Sequence, residues 1–181
     1  MSHIKKLLHA GFSLFLIWQT FLLLENLSFN RSLSFSQSLL NAILLNLFVT
    51  GIFTIVYSFP VYKLLPDNYY RINNPERLKS FCNLIKIEYF KKILLVTFWG
   101  KKQNKKYFFN GTRNGFAEFK LNTLKSEFGH FVGFVVVMIL TIYIGIKINI
   151  FIALLAFVIN IIFNFYPFIL QRYHRLRLAR F

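Results

Sequence analysis

The chain has 181 residues, of which 56% are hydrophobic and 19% aromatic, and it carries a formal net charge of +16. A soluble domain of this length has too small a core to hide so much Phe, Leu and Ile, which excludes an ordinary soluble basic protein. The Lys and Arg residues cluster beside apolar spans, so we interpret them as membrane-flanking charges and not as a nucleic-acid-binding surface. The composition therefore predicts an integral membrane protein that binds no nucleic acid.

Two apolar runs predict a transmembrane hairpin in residues 1–65. The first, Leu7 to Leu24, is long enough to cross a bilayer, which takes about 20 residues. No small-x-small cleavage site follows it, so we interpret it as a retained span and not as a signal peptide. The second run extends from Leu39 to Leu65, and Pro60 near its end predicts a kink. The Ser-rich stretch 30–38 is the predicted loop between the two spans.

Residues 66–125 differ in kind, because they hold thirteen of the 22 Lys and Arg residues and four of the six acidic residues. We interpret them as a polar cytoplasmic insert between two membrane hairpins. Asn74 followed by Pro75 predicts a helix start, since Asn is a frequent N-cap and Pro is tolerated in the first turn. Asn110-Gly111 and Asn114-Gly115 predict turns.

Apolar residues that recur every three or four positions predict a second, amphipathic helix in the insert. They are Phe90, Ile93, Leu94 and Phe98. Lys91, Lys92 and Glu88 lie off this stripe. Such a helix either rests on a membrane surface or packs on its own protein, and the sequence leaves both open. Four lysines follow that are typical of a solvated cytoplasmic loop: Lys101, Lys102, Lys105 and Lys106.

A second transmembrane hairpin is predicted in residues 126–181. Phe131 to Ile146 is the third span, and the apolar spacing upstream extends its helix back through Glu127. The fourth span, Ile150 to Leu170, follows after only three residues. The two spans are therefore predicted to form a tight antiparallel pair.

Two amides lie one helical turn apart inside the fourth span, Asn160 and Asn164. Buried amides in lipid need hydrogen-bond partners, and these two either join neighbouring helices or line a polar pocket. The excess of Lys and Arg in the insert and in the C-terminal tail places both, and with them the N-terminus, on the cytoplasmic side. The predicted fold is all-α: an integral membrane protein with four transmembrane helices and a cytoplasmic amphipathic helical insert.

A carboxylate and an imidazole, Glu127 and His130, lie three residues apart at the start of the third span. Helical spacing puts them about 60° apart on one face. The hairpin brings this turn close to the tail, so we predict one site in which the pair faces Arg172, Tyr173 and Arg175. A histidine held by a glutamate can take the proton of a hydroxyl that attacks a carbonyl, and arginines can hold phosphates or an oxyanion. These residue types are the equipment of acyl transfer.

The same residues also fit a structural role. A Glu and a His can satisfy one another at a helix entrance, and Arg is the usual anchor at a cytoplasmic helix end. No metal site is predicted, because four scattered histidines and a single cysteine supply no ligand cluster. The sequence contains no Gly-rich phosphate loop, no Ser elbow and no His followed five positions on by Asp, and no cofactor is predicted.

Two motifs carry a family resemblance: Ser126-Glu-Phe-Gly-His130, and Asn164-Phe-Tyr-Pro-Phe-Ile-Leu-Gln-Arg-Tyr-His-Arg-Leu-Arg-Leu178. Together they resemble the glycosyl-4,4'-diaponeurosporenoate acyltransferase family, whose members are small bacterial membrane proteins. The staphylococcal type attaches a fatty acyl chain to the sugar of a carotenoid glycoside. This chain has His174 where the family pattern has Asn.

The resemblance implies roles for particular residues. Glu127 and His130 would be catalytic. The substrate-binding residues that it implies are Asn164, Gln171, Arg172, Tyr173 and Arg175, with Pro167 also part of the motif. In this hypothesis His130 is the general base on a glycolipid hydroxyl, Glu127 orients it, and Arg172 and Arg175 bind phosphates of the acyl donor.

We therefore predict an acyltransferase of the bacterial inner membrane, with both termini in the cytoplasm. Its predicted partners are membrane lipids, an acyl donor (acyl-CoA, acyl-carrier protein or a phospholipid) and an acceptor that is a glycolipid or a glycosylated carotenoid. The alternative hypothesis is a non-enzymatic membrane partner or assembly protein, whose basic insert binds anionic lipid or an acidic protein.

Overall fold

The computed structural model describes residues 3–30, 32–97 and 113–178; most of these residues are helical and none of them lies in a strand. Four helices are long and apolar enough to cross a membrane: His3–Phe29, Phe35–Tyr57, Gly115–Lys147 and Ile150–Leu178. Each of them contains most of one predicted span. The predicted all-α membrane fold with four transmembrane helices is confirmed.

Eight α-helices lie in the described residues and are named in chain order. They are α1 (His3–Phe29), α2 (Phe35–Ile52), α3 (Asp67–Tyr70), α4 (Pro75–Leu84), α5 (Ile87–Thr97), α6 (Arg113–Lys147), α7 (Ile150–Asn160) and α8 (Tyr166–Leu178). The other helical segments are the 3₁₀ helices Phe53–Tyr57 and Val61–Leu64 and the π-helix Ile161–Phe165, which joins α7 to α8.

The chain divides into two compact units, each built from two segments of the sequence. The first unit comprises Met1–Val61 and Phe128–Phe165, and the second comprises Tyr62–Glu127 and Tyr166–Phe181. α6 contributes residues to both units, because the division falls within it. The sequence analysis divided the chain into three consecutive segments at residues 65 and 125, and that division stays a prediction.

The first unit has an apolar core to which α1, α2, α6 and α7 all contribute. Leu45 of α2, Ile144 of α6 and Ala156 of α7 are fully buried there. Large apolar side chains such as Trp18 and Phe21 are exposed instead. Exposed apolar residues of this size are expected where the surrounding solvent is lipid.

Both ends of α2 differ from the prediction. Ser34 caps its start, since the Ser34 hydroxyl accepts from the Gln37 backbone nitrogen and the Gln37 Oε1 accepts from the Ser34 backbone nitrogen at 2.9 Å. The helix therefore begins inside the predicted loop. The helical segment ends at Tyr57, three residues before Pro60, which restricts the conformation of Phe59 and has no N–H to continue a helix. The predicted kink at Pro60 is wrong.

The tight turn predicted between the third and fourth spans is confirmed. α6 ends at Lys147 and α7 begins at Ile150. Asn149 caps α7, and its Oδ1 accepts hydrogen bonds from the backbone nitrogens of Phe151 at 2.8 Å and Ile152 at 3.3 Å. This cap satisfies two of the backbone donors that a helix start leaves without partners.

The second unit joins the predicted insert to the C-terminal tail. Asn74 caps α4 as predicted, accepting from a backbone nitrogen three residues on at 2.9 Å, and Pro75 occupies the first turn. The Tyr166 hydroxyl of α8 donates to the Ile85 backbone oxygen at 3.2 Å, and its ring lies 5.0 Å from that of Phe90 in α5. The tail is therefore packed on the insert.

α5 has apolar residues on two faces. Ile87 is buried and Phe90 contacts α8, so one face packs on the protein. The opposite face is exposed and carries Tyr89, Ile93 and Val96. The first face matches one of the two alternatives left open by the sequence, and the second keeps the membrane-surface alternative open.

Of the two predicted Asn-Gly turns, the second lies within the described residues. α6 begins at Arg113, so Asn114 and Gly115 lie in its first turn, and the turn predicted there is wrong. A glycine so near a helix start loses little, because the first backbone N–H groups have no partner within the helix in any case. The remaining predicted features of this stretch lie outside the described residues: Phe98, Asn110-Gly111, Lys101, Lys102, Lys105 and Lys106.

Candidate functional site

α6 carries Glu127 and His130 three residues apart, and each has its own partners. Glu127 belongs to the second unit and His130 to the first. Glu127 contacts two arginines of α8, whereas His130 contacts an asparagine of the π-helix. The two side chains therefore belong to separate clusters.

Glu127 is a fully buried carboxylate with a guanidinium group on each oxygen. Oε1 accepts a hydrogen bond from Arg172 Nε at 2.8 Å, and Oε2 forms an ion pair with Arg175. The predicted approach of both arginines to Glu127 is thus observed. Both oxygens of the carboxylate are therefore engaged by cations, which leaves it no free oxygen for His130.

Aromatic rings and a backbone oxygen hold the arginines in place. Arg172 Nη2 donates to the Tyr69 backbone oxygen at 2.8 Å, and its guanidinium lies 4.7 Å from the Tyr69 ring centroid and 5.4 Å from that of Phe168. The Arg175 guanidinium lies 6.0 Å from the ring centroid of Tyr70. Such stacking of a cation on aromatic faces fixes its orientation.

Tyr69 and Tyr70 of α3 are affected by burial and by the negative charge of Glu127. Burial, reinforced by the nearby Glu127 carboxylate, raises the pKa of Tyr69 to about 12. The same two causes raise the pKa of Tyr70. Both phenols therefore stay neutral at physiological pH. Sequence reasoning missed this pair, and the only available signal was the adjacent aromatic dipeptide Tyr69-Tyr70 in a polar segment.

The charges around Glu127 do not cancel. Two guanidinium groups face one carboxylate, which leaves one positive charge in the cluster. Arg175 is only 6% exposed, and its Nη1 is buried with no hydrogen-bond partner among the described residues. A buried donor of this kind is costly unless an acceptor fills the position, so the cluster is suited to an anion such as a phosphate.

His130 belongs to a network of neutral polar groups in the first unit. Its Nδ1 lies 3.4 Å from Asn164 Oδ1, which also accepts a hydrogen bond from Thr50 Oγ1 at 2.9 Å. Asn164 Nδ2 donates to Asn160 Oδ1 at 2.9 Å, and Asn160 Nδ2 donates to the Phe134 backbone oxygen at 3.0 Å. The network connects α2, α6 and the last transmembrane segment, so the predicted need for amide partners is met.

The π-helix places Asn164 in this network. Asn160 and Asn164 are both fully buried, and the segment between them widens from an α-helix to a π-helix at Ile161–Phe165. Short π-helical segments are frequent at functional sites because they turn side chains out of the regular helical register. On the facing helix, a Cβ added to Gly133 would come within 3.0 Å of Asn164 Oδ1, so a glycine is needed there for the close approach.

The remaining predicted site residues lie elsewhere in the second unit. The Tyr173 hydroxyl donates to Glu88 Oε1 at 2.6 Å and not to the Glu127 cluster. The His174 ring lies 5.9 Å from that of Phe119, edge to face. Gln171 is half-buried and Pro167 lies in the first turn of α8. Among the tail residues that the structure describes, Arg172 and Arg175 are the two that contact Glu127 by hydrogen bond or ion pair.

Cys82 has the properties of a passive core residue. Its side chain is fully buried in the second unit. Burial raises the pKa of its thiol to about 11, so the reactive thiolate is scarce at neutral pH. Among the described residues, no group of three or more His, Cys, Asp or Glu side chains could hold a metal ion.

Comparison with known proteins connects these residues to a family. A family model described as glycosyl-4,4'-diaponeurosporenoate acyltransferase matches residues 66–181, which is more than half of the chain. The match includes Glu127, His130 and the whole closing motif, and it confirms the resemblance found in the sequence. No curated protein and no solved structure matches the chain.

Proposed function

Because the chain belongs to the glycosyl-4,4'-diaponeurosporenoate acyltransferase family, we propose that it transfers a fatty acyl chain to a hydroxyl group of a glycosylated carotenoid or a related glycolipid. The family match is the observation that carries this proposal. Four helices able to cross a membrane suit such a substrate, since both the acyl chain and the acceptor are lipids.

His130 is the proposed general base. As the acceptor hydroxyl attacks the carbonyl carbon of the acyl donor, His130 takes the hydroxyl proton and the new ester bond forms. The carbonyl–heteroatom bond to the donor then breaks, and His130 returns the proton to the departing thiolate or alkoxide. General base catalysis of this kind contributes about 10²- to 10⁴-fold to a rate.

Arg172 and Arg175 are proposed to bind a phosphate of the donor. Acyl-CoA, acyl-carrier protein and phospholipids all present phosphate groups, so the excess positive charge of the arginine cluster suits each of them. Glu127 then has the role of holding both guanidinium groups apart and oriented. This assignment departs from the sequence hypothesis, in which Glu127 orients His130.

Both termini are proposed to face the cytoplasm of a bacterial cell, with the protein in the inner membrane. The argument is the distribution of Lys and Arg, which are abundant in 66–125 and in the tail but scarce in the short connections 30–34 and 147–149. A cytoplasmic tail would give Arg172 and Arg175 access to cytoplasmic acyl donors.

The test is lipid mass spectrometry of cells that lack the gene and are complemented with variants. We expect the deletion strain and the His130→Ala strain to lose an acylated glycolipid and to accumulate its unacylated precursor. His3→Ala removes an exposed histidine of α1 and is the matched control, expected to restore acylation. An unchanged lipid profile in the deletion strain would refute the enzyme and favour the non-enzymatic alternative.

A further inference from the structure

We propose that Asn164 is a positioning residue that holds His130 in the tautomer with hydrogen on Nδ1, so that Nε2 carries the lone pair that accepts the substrate proton. The proposal rests on the proposed role of His130 as general base. It replaces the substrate-binding role that the family resemblance implied for Asn164.

The direction of the hydrogen bonds in the network follows from one backbone carbonyl. The Phe134 oxygen can only accept, so the group of Asn160 that faces it must be the NH₂. Asn160 Oδ1 then faces Asn164, and the group that Asn164 offers in return must be its own NH₂. An amide has one oxygen and one nitrogen, so Asn164 Oδ1 necessarily faces the other way.

Asn164 Oδ1 therefore meets Thr50 and His130 as an acceptor. Thr50 donates its hydroxyl hydrogen at 2.9 Å. His130 Nδ1 lies 3.4 Å away and must also bring a hydrogen, because two acceptors would repel each other. In a neutral imidazole with hydrogen on Nδ1, Nε2 is the acceptor.

Packing keeps this arrangement from relaxing. Asn160 and Asn164 are fully buried, so water cannot substitute for either partner. Gly133 of α6 faces Asn164 Oδ1 so closely that a Cβ built on it would lie 3.0 Å from that oxygen. The direction of the hydrogen bond at the Phe134 oxygen therefore determines, through Asn160 and Asn164, which nitrogen of the imidazole carries the hydrogen.

The first measurement is the tautomer itself. We would record ¹⁵N spectra of the full chain in detergent micelles at a pH where His130 is neutral, and assign its signals by their loss in His130→Gln. The proposal expects a protonated Nδ1 and a pyridine-like Nε2. A predominantly Nε2–H ring in the unmodified protein would overturn it.

Two variants then distinguish a positioning role of Asn164 from a role in stability alone. Asn164→Leu removes the acceptor, and Asn160→Leu frees Asn164 to reorient without touching His130. We expect the Nδ1–H tautomer to lose its dominance in both. Loss of one hydrogen bond shifts such an equilibrium by about three- to tenfold, and kcat should fall by at least that factor in Asn164→Leu while KM for the donor stays the same.

Asn46→Leu is the matched control. Asn46 is equally buried in the first unit and joins α2 to α7 by donating to the Ala42 oxygen at 2.9 Å and the Ala156 oxygen at 3.1 Å. Its loss should lower stability but leave the tautomer and kcat unchanged. If Asn46→Leu lowered kcat as much as Asn164→Leu, with no tautomer change in either, Asn164 would be merely structural.

The tautomer measurement also separates this proposal from the proposed function. Full acyl transfer by His130→Ala would refute His130 as the base, and the role of Asn164 in catalysis would fall with it. Loss of transfer in His130→Ala together with an Nε2–H ring in the unmodified protein would leave the base in place and overturn only the positioning by Asn164. If Asn164→Leu fails to fold, Asn160→Leu and the unmodified protein still decide the question.

Discussion

The surroundings of Glu127 and of His130 differ in charge, although the two residues are three positions apart on α6. In the second unit, the Glu127 carboxylate is fully occupied by Arg172 and Arg175. In the first unit, His130 Nδ1 lies 3.4 Å from the amide of Asn164, whose own hydrogen-bond partners Thr50 and Asn160 are uncharged. The comparison separates two residues that the sequence analysis joined: the carboxylate orients two cations, whereas the imidazole lies in a network of uncharged hydrogen-bonding groups.

The largest effect is expected from breaking the charged cluster. Glu127→Ala leaves the buried Arg175 and the half-buried Arg172 without their counterion, and the loss of one partner of a buried ion pair costs about 3–5 kcal/mol of unfolding free energy. Thermal unfolding in detergent would measure it. If the loss of transfer activity in this variant occurs without destabilisation, the assignment of Glu127 as a support for the arginines is wrong.

The control for Glu127→Ala is the triple variant Glu127→Leu, Arg172→Leu, Arg175→Leu. Replacing a whole buried ion cluster by apolar side chains is often neutral or stabilising, so most of the lost stability should return. Transfer activity should not return, because the proposed phosphate-binding arginines are absent.

A smaller effect is expected from crowding the neutral network. Gly133→Ala places a methyl group 3.0 Å from Asn164 Oδ1, and overpacking of this kind typically costs about 1–3 kcal/mol. We expect lower kcat together with modest destabilisation. Gly11→Ala is the control, since a Cβ there meets nothing within 4 Å, and it should be neutral or slightly stabilising in a helix. Equal behaviour of the two alanine variants would contradict a tight contact at Asn164.

A third effect, on stability alone, is expected from removing the N-cap of α4 in the second unit. Asn74→Ala removes the N-cap of α4, which typically costs about 1 kcal/mol. Because this cap is remote in sequence from α6 and contacts neither cluster, unfolding should occur at a lower temperature while kcat stays the same. A change in kcat would show that the start of α4 contributes to the site.

The smallest effect is expected at Glu88 and depends on pH. The hydrogen bond from Tyr173, with help from Lys91, lowers the pKa of Glu88 below its usual value. A lowered pKa in the folded state means stabilisation that is present above the ordinary pKa of a glutamate and is lost as the pH falls through the lowered folded-state pKa. Since Glu88 is partly exposed, Tyr173→Phe should cost about 1 kcal/mol or less at pH 7. The difference between the two proteins should shrink in acid; a constant difference would mean that the bond does not depend on the Glu88 charge.

The sequence predicted those features that depend on local spacing. The four spans, the Asn74 cap and the turn at 147–149 follow from apolar run length and from capping residues, which act on their near neighbours. The boundaries of α2 were predicted less well, because they depend on the capping box at Ser34 and on the end of the helix before Pro60.

The partners of the site residues depended on packing that no local pattern contains. Helical spacing placed Glu127 and His130 on one face and thereby suggested that they pair. The spacing carried no information about which residue would supply a competing acceptor to His130, because Asn164 reaches the network through a π-helix that the sequence did not indicate. Tyr69 and Tyr70 were missed for the same reason: they lie about a hundred positions from the arginines that they contact.

The short turn at Asn149 has a consequence for how the last hairpin is held together inside a membrane. Only Ile148 and Asn149 separate α6 from α7, so the two spans are immediate antiparallel neighbours. The Asn160 amide of one span donates to the Phe134 carbonyl of the other at 3.0 Å. An amide without a partner in hydrocarbon would cost several kcal/mol. The hydrogen bond that sets the polarity of the His130 network therefore also fastens the two spans of the hairpin to each other.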